Sequence, residues 1–71
     1  MKTGKYRHFK GGMYRVIGMV KHSESLEEFV LYEALYDNPT SRFWVRPAAM
    51  FEEDVEYEGK RMKRFEFIGR R

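Results

Sequence analysis

Cysteine is absent from this chain of 71 residues, so neither a disulfide framework nor a thiolate metal site is available. Long apolar runs are missing as well. Nothing approaches the roughly 18 consecutive apolar residues a membrane-crossing helix needs. The opening Met1-Lys2-Thr3-Gly4-Lys5-Tyr6 has no apolar stretch of the kind a secretory signal carries. These absences point to a soluble chain, with the cytoplasm as its expected location. There is room for one domain, residues 1–71, hiding about 60% of the surface its unfolded form exposes. The core therefore depends on large side chains, which are present as six Phe, five Tyr, five Met and one Trp.

Charge is laid out in three blocks that a net charge of +3 conceals. The first carries Lys2, Lys5, Arg7, Lys10, Arg15 and Lys21 without an acid. The second, from Ser23 to Glu58, is dominated by Asp and Glu against only Arg42 and Arg46. The third returns to base with Lys60, Arg61, Lys63, Arg64, Arg70 and Arg71 against Glu66. If the two ends pair as neighbouring strands, their charges merge into a basic face opposite an acidic one. Such a face suits a polyanion, although opposite blocks also serve as a solvated surface that helps set register.

The pattern along the chain is strands separated by turn chemistry. Gly4 to Phe9 is a short opening segment, and Lys10-Gly11-Gly12 a turn, since paired glycines accept positive φ. In Met13 to Lys21, Tyr14, Val16, Gly18 and Val20 share one face at the two-residue period, with Gly18 marking a bend or bulge. His22-Ser23-Glu24-Ser25-Leu26-Glu27-Glu28 breaks the pattern as a loop. Phe29 to Tyr36 is apolar on both faces, which reads as a central strand buried twice, although Leu, Glu and Ala also favour helix there. Asp37-Asn38-Pro39 is a turn. Phe43-Trp44-Val45-Arg46 is a strand closed by Pro47, with Phe43 and Val45 expected in the core. Ala48-Ala49-Met50-Phe51 reads as one helical turn folding Met50 and Phe51 back onto it. Val55-Glu56-Tyr57 and Phe65-Glu66-Phe67-Ile68 are expected to pair across Glu58-Gly59. The fold expected is mainly β, a small SH3-like barrel of about five strands with one short helical turn.

Four ordered motifs carry a family resemblance over nearly the whole chain. They are Gly4-Lys5-Tyr6-Arg7-His8-Phe9-Lys10-Gly11-Gly12, His22-Ser23-Glu24-Ser25-Leu26-Glu27, Phe43-Trp44-Val45-Arg46-Pro47 with Met50-Phe51, and Arg64-Phe65. Together they resemble the bacterial domain-of-unknown-function family numbered 1653. The resemblance implies a small bacterial domain and no activity assignable to any residue. The chain departs from it at Asn38-Pro39-Thr40-Ser41-Arg42, where a shorter, glycine-containing turn is expected.

No motif carries a known reaction. His22-Ser23-Glu24 sets an imidazole, a hydroxyl and a carboxylate side by side, but neighbours in an extended chain point to opposite faces. A triad also needs an oxyanion hole and shelter that a domain this small scarcely offers. Ser23 or Ser25 capping a turn explains the motif more simply. His8 and His22 lie too far apart in sequence for a close metal-binding pair, and Lys10-Gly11-Gly12-Met13 lacks what a phosphate loop requires. No enzyme activity, cofactor or metal is expected.

Binding is the remaining kind of work. Trp44 and Arg46 alternate with Val45 and therefore share a face, where an indole beside a guanidinium makes a stacking platform. The same pair would equally suit a small second core under the His22 loop, with Arg46 paired to Glu24 or Glu27. Two function classes follow. One is a non-enzymatic interaction module taking a protein or peptide through His22, Glu24, Glu27, Tyr32, Trp44 and Arg46. The other is a nucleic-acid binder using Lys5, Arg7, Lys10, Arg15, Lys60, Arg61, Lys63 and Arg64 for phosphates, with Tyr6 and Tyr14 stacking on bases. A monomer is expected, with pairing through a free edge strand left open.

Overall fold

The computed structural model describes residues 1–70; Arg71, counted above in the closing basic block, lies outside them. The elements run β1 (Gly4–His8), β2 (Met13–Lys21), β3 (Glu28–Ala34), β4 (Phe43–Pro47), α1 (Ala48–Phe51), β5 (Asp54–Tyr57), β6 (Lys60–Lys63) and β7 (Phe65–Gly69). Five strands form one antiparallel sheet in the order β4-β3-β2-β1-β7, and β5 and β6 form a separate hairpin. The architecture is mainly β with one helical turn, as expected. A four-strand meander, a helical turn and a last strand returning beside β1 is also the order expected of the small barrel. No ladder joins β4 to β7, so these two are the sheet's edges.

The two chain ends do pair. Lys5, Tyr6, Arg7 and His8 face Gly69, Phe67, Glu66 and Phe65 across the β1–β7 ladder. Gly4 makes the approach possible. At its φ of 132° a Cβ would sit 2.5 Å from the Gly69 carbonyl oxygen and 2.8 Å from Arg70 Cα, distances no side chain tolerates.

Three local expectations change. The β2–β3 register shifts between Val16 and Gly18, so the bulge expected at Gly18 is present. Its extra residue inverts the face alternation beyond it. Val20 now pairs with Phe29, and Met19 pairs with the buried Val30, so Val20 does not share the face of Val16. β3 is central but buried on one face only: Val30, Tyr32 and Ala34 are buried while Phe29, Leu31 and Glu33 are half-exposed. Finally, the hairpin at Glu58-Gly59 joins β5 to β6, not to the Phe65 strand. Lys60-Arg61-Met62-Lys63 lacks the apolar alternation that marks a strand. It is held by the turn, where Glu58 and Gly59 both take positive φ (52° and 77°), the conformation of tight hairpin turns.

The core lies against the Val16, Val30 and Tyr32 face of the sheet and is dominated by aromatic rings. Phe51, delivered by α1 and 1% exposed, stacks on Phe65 at 4.0 Å between centroids and 4° between planes. Tyr6 and Tyr32 meet Phe51 edge-on at 5.5 and 5.4 Å. Tyr6 also donates its hydroxyl hydrogen bond to the Lys2 carbonyl at 2.7 Å. Met50, expected beside Phe51, is 45% exposed, because a single helical turn aims only one of the two adjacent side chains inward. Phe51→Ala is expected to lose about 3–5 kcal/mol, comparable to the whole stability of a small domain. Urea unfolding should therefore show the variant largely unfolded in buffer.

Candidate functional site

The β3–β4 register decides where Trp44 and Arg46 go. Trp44 pairs with Tyr32 and Arg46 with Val30, and paired residues in an antiparallel ladder point to the same side. Trp44 and Arg46 therefore lie on the core face, while Phe43 and Val45, expected inside, are 51% and 54% exposed on the outer face. The alternation was legible but its sense was not, because both pairs contain a large apolar residue. Trp44 packs against the margin of the main core, and its Nε1 donates to the Ser41 carbonyl at 3.0 Å. Arg46 does not meet Glu24 or Glu27. Its Nε donates to the Tyr32 hydroxyl at 3.3 Å, and its guanidinium lies 5.6 Å from the Phe65 ring centroid.

These side chains border a shallow hollow of about 240 Å³ lined by Tyr14, Tyr32, Asn38, Trp44 and Arg46. Its size suits one or two side chains of a ligand rather than a coenzyme. Two of its walls were not foreseen as parts of one site. Tyr14 stands on β2 directly opposite Ala34, and its hydroxyl shares a 2.6 Å hydrogen bond with that of Tyr36. Burial first, and then that bond, push the Tyr14 phenol up to about 12, so it stays neutral. Asn38 belongs to the loop between β3 and β4. Its Oδ1 accepts from the backbone amides of Thr40 and Ser41 at 3.0 and 3.4 Å, a local turn that fixes the side chain.

Arg46 differs from most other arginines here. Arg7 pairs with Glu66 at 2.9 Å, Arg42 with Glu33 at 2.5 Å, Arg61 with Asp54 at 3.3 Å and Arg64 with Glu53 at 2.6 Å. Among the described residues no carboxylate pairs with half-buried Arg46. Its charge is felt by His8, which stands against Phe65 at 5.0 Å and Tyr14 at 6.3 Å. Burial is the largest cause lowering the His8 pKa, followed by Arg46, Arg64 and Lys10. His8 Nδ1 also accepts the Lys10 amide at 3.2 Å, a bond that a proton on that nitrogen would destroy.

His22, Glu24 and Glu27 stand apart from this hollow, in the exposed β2–β3 loop. His22 Nδ1 accepts the amides of Glu24 and Ser25, each at 3.2 Å. Ser25 Oγ accepts the Glu27 amide at 3.2 Å, and Ser23 Oγ donates to Glu24. The imidazole, the two hydroxyls and the backbone of Glu27 thus serve the turn, as capping predicts. Of the six candidate ligand residues, the fold gathers Tyr32, Trp44 and Arg46.

The basic residues are dispersed too. Arg7, Arg61 and Arg64 are in the ion pairs above, and Lys63 lies 3.8 Å from Asp54. Lys5, Lys10, Arg15 and Lys60 have no such partner among the described residues. Pairing of β5 with β6 lays the end of the acidic block beside the closing basic block, so the merged basic face is interleaved with carboxylates.

The match to known proteins rests on the whole domain. Residues 4–67 fit the family model described as "Protein of unknown function (DUF1653)". The chain belongs to that family. A crystal structure of a DUF1653 protein from Bordetella bronchiseptica superposes with a TM-score of 0.94. The two are 29% identical, and the match covers 97% of this chain and 88% of that one. No curated protein matches. In this DUF1653 chain no described helix is long and apolar enough to cross a membrane, and no three metal-binding side chains are gathered among the described residues.

His8 reports on the site. Its depressed pKa means that the unfolded chain takes up the proton at higher pH than the folded one. The stability tied to it is complete above the ordinary value of 6.5 and lost as pH falls from there to the folded midpoint. Arg46→Gln should raise the His8 midpoint towards 6.5 in an NMR titration. Arg42→Gln, which removes a cation that does not act on His8, should leave it in place.

Proposed function

We propose that this domain is a non-enzymatic interaction module that binds a carboxylate-bearing peptide or protein segment across the Tyr14, Tyr32, Asn38, Trp44 and Arg46 hollow. The observation that carries this reading is Arg46, a half-buried guanidinium set among aromatic rings with its Nε fixed by Tyr32 and no carboxylate of its own. Burying a cation without a counter-charge is costly. A ligand carboxylate would supply the missing charge through the two Nη groups, in the planar two-bond geometry that guanidinium favours. Trp44 and Tyr14 offer flat apolar walls for the neighbouring ligand side chain, and Asn38 offers an amide for a ligand backbone. The shallow hollow and the use of His22 in turn capping support binding rather than catalysis. The Bordetella relative supports a bacterial setting, and the cytoplasm is the location the sequence favours.

The interleaving of acids among the basic residues favours this reading over nucleic acid. A phosphate-binding face requires cations free to displace counterions, and half of the candidate residues are already paired within the fold.

The test is an NMR amide titration of the labelled domain. Its probes are short extended peptides carrying Glu or Asp beside an aromatic residue, the matching Gln or Asn peptides, and single- and double-stranded oligonucleotides. The acidic peptides should shift Tyr14, Asn38, Trp44 and Arg46 and raise the His8 midpoint. The amide analogues should bind at least about tenfold more weakly, as losing a charged hydrogen-bond partner at such a site costs about 1.5–3 kcal/mol. Oligonucleotide shifts centred on Lys5, Lys10 and Lys60 that persist at physiological salt, with no response to acidic peptides, would overturn the assignment.

A further inference from the structure

Strand β4 ends the sheet with an unusual edge. The Ala34 amide donates to the Arg42 carbonyl at 2.8 Å, and the ladder continues from there through Tyr32 with Trp44 and Val30 with Arg46. Antiparallel ladders alternate, so Trp44 and Arg46 turn their backbone groups towards β3, whereas Phe43, Val45 and Pro47 turn theirs outwards. No lysine guards this edge, although edge charges are a common protection against pairing; the one flanking cation, Arg42, is tied to Glu33 and lies over the Phe43 ring. Its two outward-facing apolar side chains, Phe43 and Val45, are both more than half exposed.

We propose that β4 pairs with β4 of a second copy of this chain, antiparallel and with the two-fold axis at Val45. In that register each Val45 exchanges its N–H and carbonyl with the partner's Val45. Each Phe43 N–H donates to the carbonyl of the partner's Pro47, through the lone pair left over once that carbonyl, at the N-cap of α1, has accepted the first helical bond. Pro47 has no N–H to return, and the Phe43 carbonyl it would have served already accepts the Ser41 hydroxyl at 2.8 Å. Every outward backbone group of the strand is thus satisfied. Centring the axis on Pro47 instead would set two donorless residues face to face.

The side chains agree with the same register. On the outer face Val45 meets the partner's Val45, and Phe43 meets the partner's Pro47. On the inner face each Trp44 lies opposite the partner's Arg46, which permits a cation-π contact in both halves. No like charges are opposed. The second copy would also extend each hollow by bringing a second guanidinium to the indole that lines it. The self-pairing stands on the edge chemistry and does not depend on the carboxylate reading of the hollow.

Sedimentation velocity over a wide range of protein concentration tests this, with amide hydrogen exchange recorded at the two extremes. The wild-type chain should shift towards dimer as concentration rises, with exchange slowing at Phe43 and Val45. Val45→Pro removes a donor unused within one copy, and Val45→Lys places a charge on the edge; both should remain monomeric. The lysine variant keeps the test intact if the proline variant fails to fold. A wild-type chain that stays monomeric throughout, or a folded Val45→Lys that dimerises as well as wild type, overturns the proposal, whatever the peptide titration shows.

Discussion

The face-to-face stack of Phe51 on Phe65 is the contact on which the other parts depend. Phe51 comes from the single helical turn after β4, and Phe65 opens the strand that returns beside β1. Their contact therefore ties the end of the meander to the closing strand. Tyr6, Tyr14 and Tyr32 set their edges around these two rings, so three strands read their position from the same pair. With no disulfide available, this arrangement is how a short chain obtains a defined core: large rings contribute much buried area for few ordered bonds. Phe65 also carries Arg46 above it. The hollow is thus built on the margin of the core, and its rigidity follows from the core's.

That shared ring also explains the electrostatics of the site. Arg46 rests where water is partly excluded, held by a phenol rather than a carboxylate. Burial first, and then the nearby cations Arg46, Arg64 and Lys10, make His8 resist protonation. The fold has carboxylates to spare, and it spends them on Arg7, Arg42, Arg61 and Arg64. Leaving the half-buried cation unmatched is the type of local inconsistency that functional sites show.

Much of the architecture was legible in the sequence. Paired glycines, Asp37-Asn38-Pro39 and Glu58-Gly59 marked turns, and two-residue alternation marked β2 and β4. What misled was parity. Gly18 marked the bulge, but its extra residue inverts the second half of β2, and a two-residue count carried straight across it set Val20 on the wrong face. In β4, Phe43/Val45 and Trp44/Arg46 are competing apolar pairs, and only the pairing with Tyr32 decides between them. β6 was hidden because its four residues are almost all basic and its strand form is imposed by the turn and by β5. Within the site, Tyr32, Trp44 and Arg46 were found from residue type. Asn38 was missed because its role comes from a loop bringing distant residues together. His22 and Glu24 attracted notice for side chains that the turn employs, and Glu27 joins that turn through its backbone.

On the proposed reading Arg46 is kept for a ligand, its charge left unmatched within the fold. Its most direct test is the unfolding free energy of Arg46→Met against wild type, by urea denaturation without ligand. Methionine keeps apolar contact with Phe65 and removes the unmatched charge but leaves the Tyr32 hydroxyl without its donor, so the two effects should offset and stability should stay within about 1 kcal/mol of wild type. A loss of about 2 kcal/mol or more would show that Arg46 is a structural residue and not one held for a ligand.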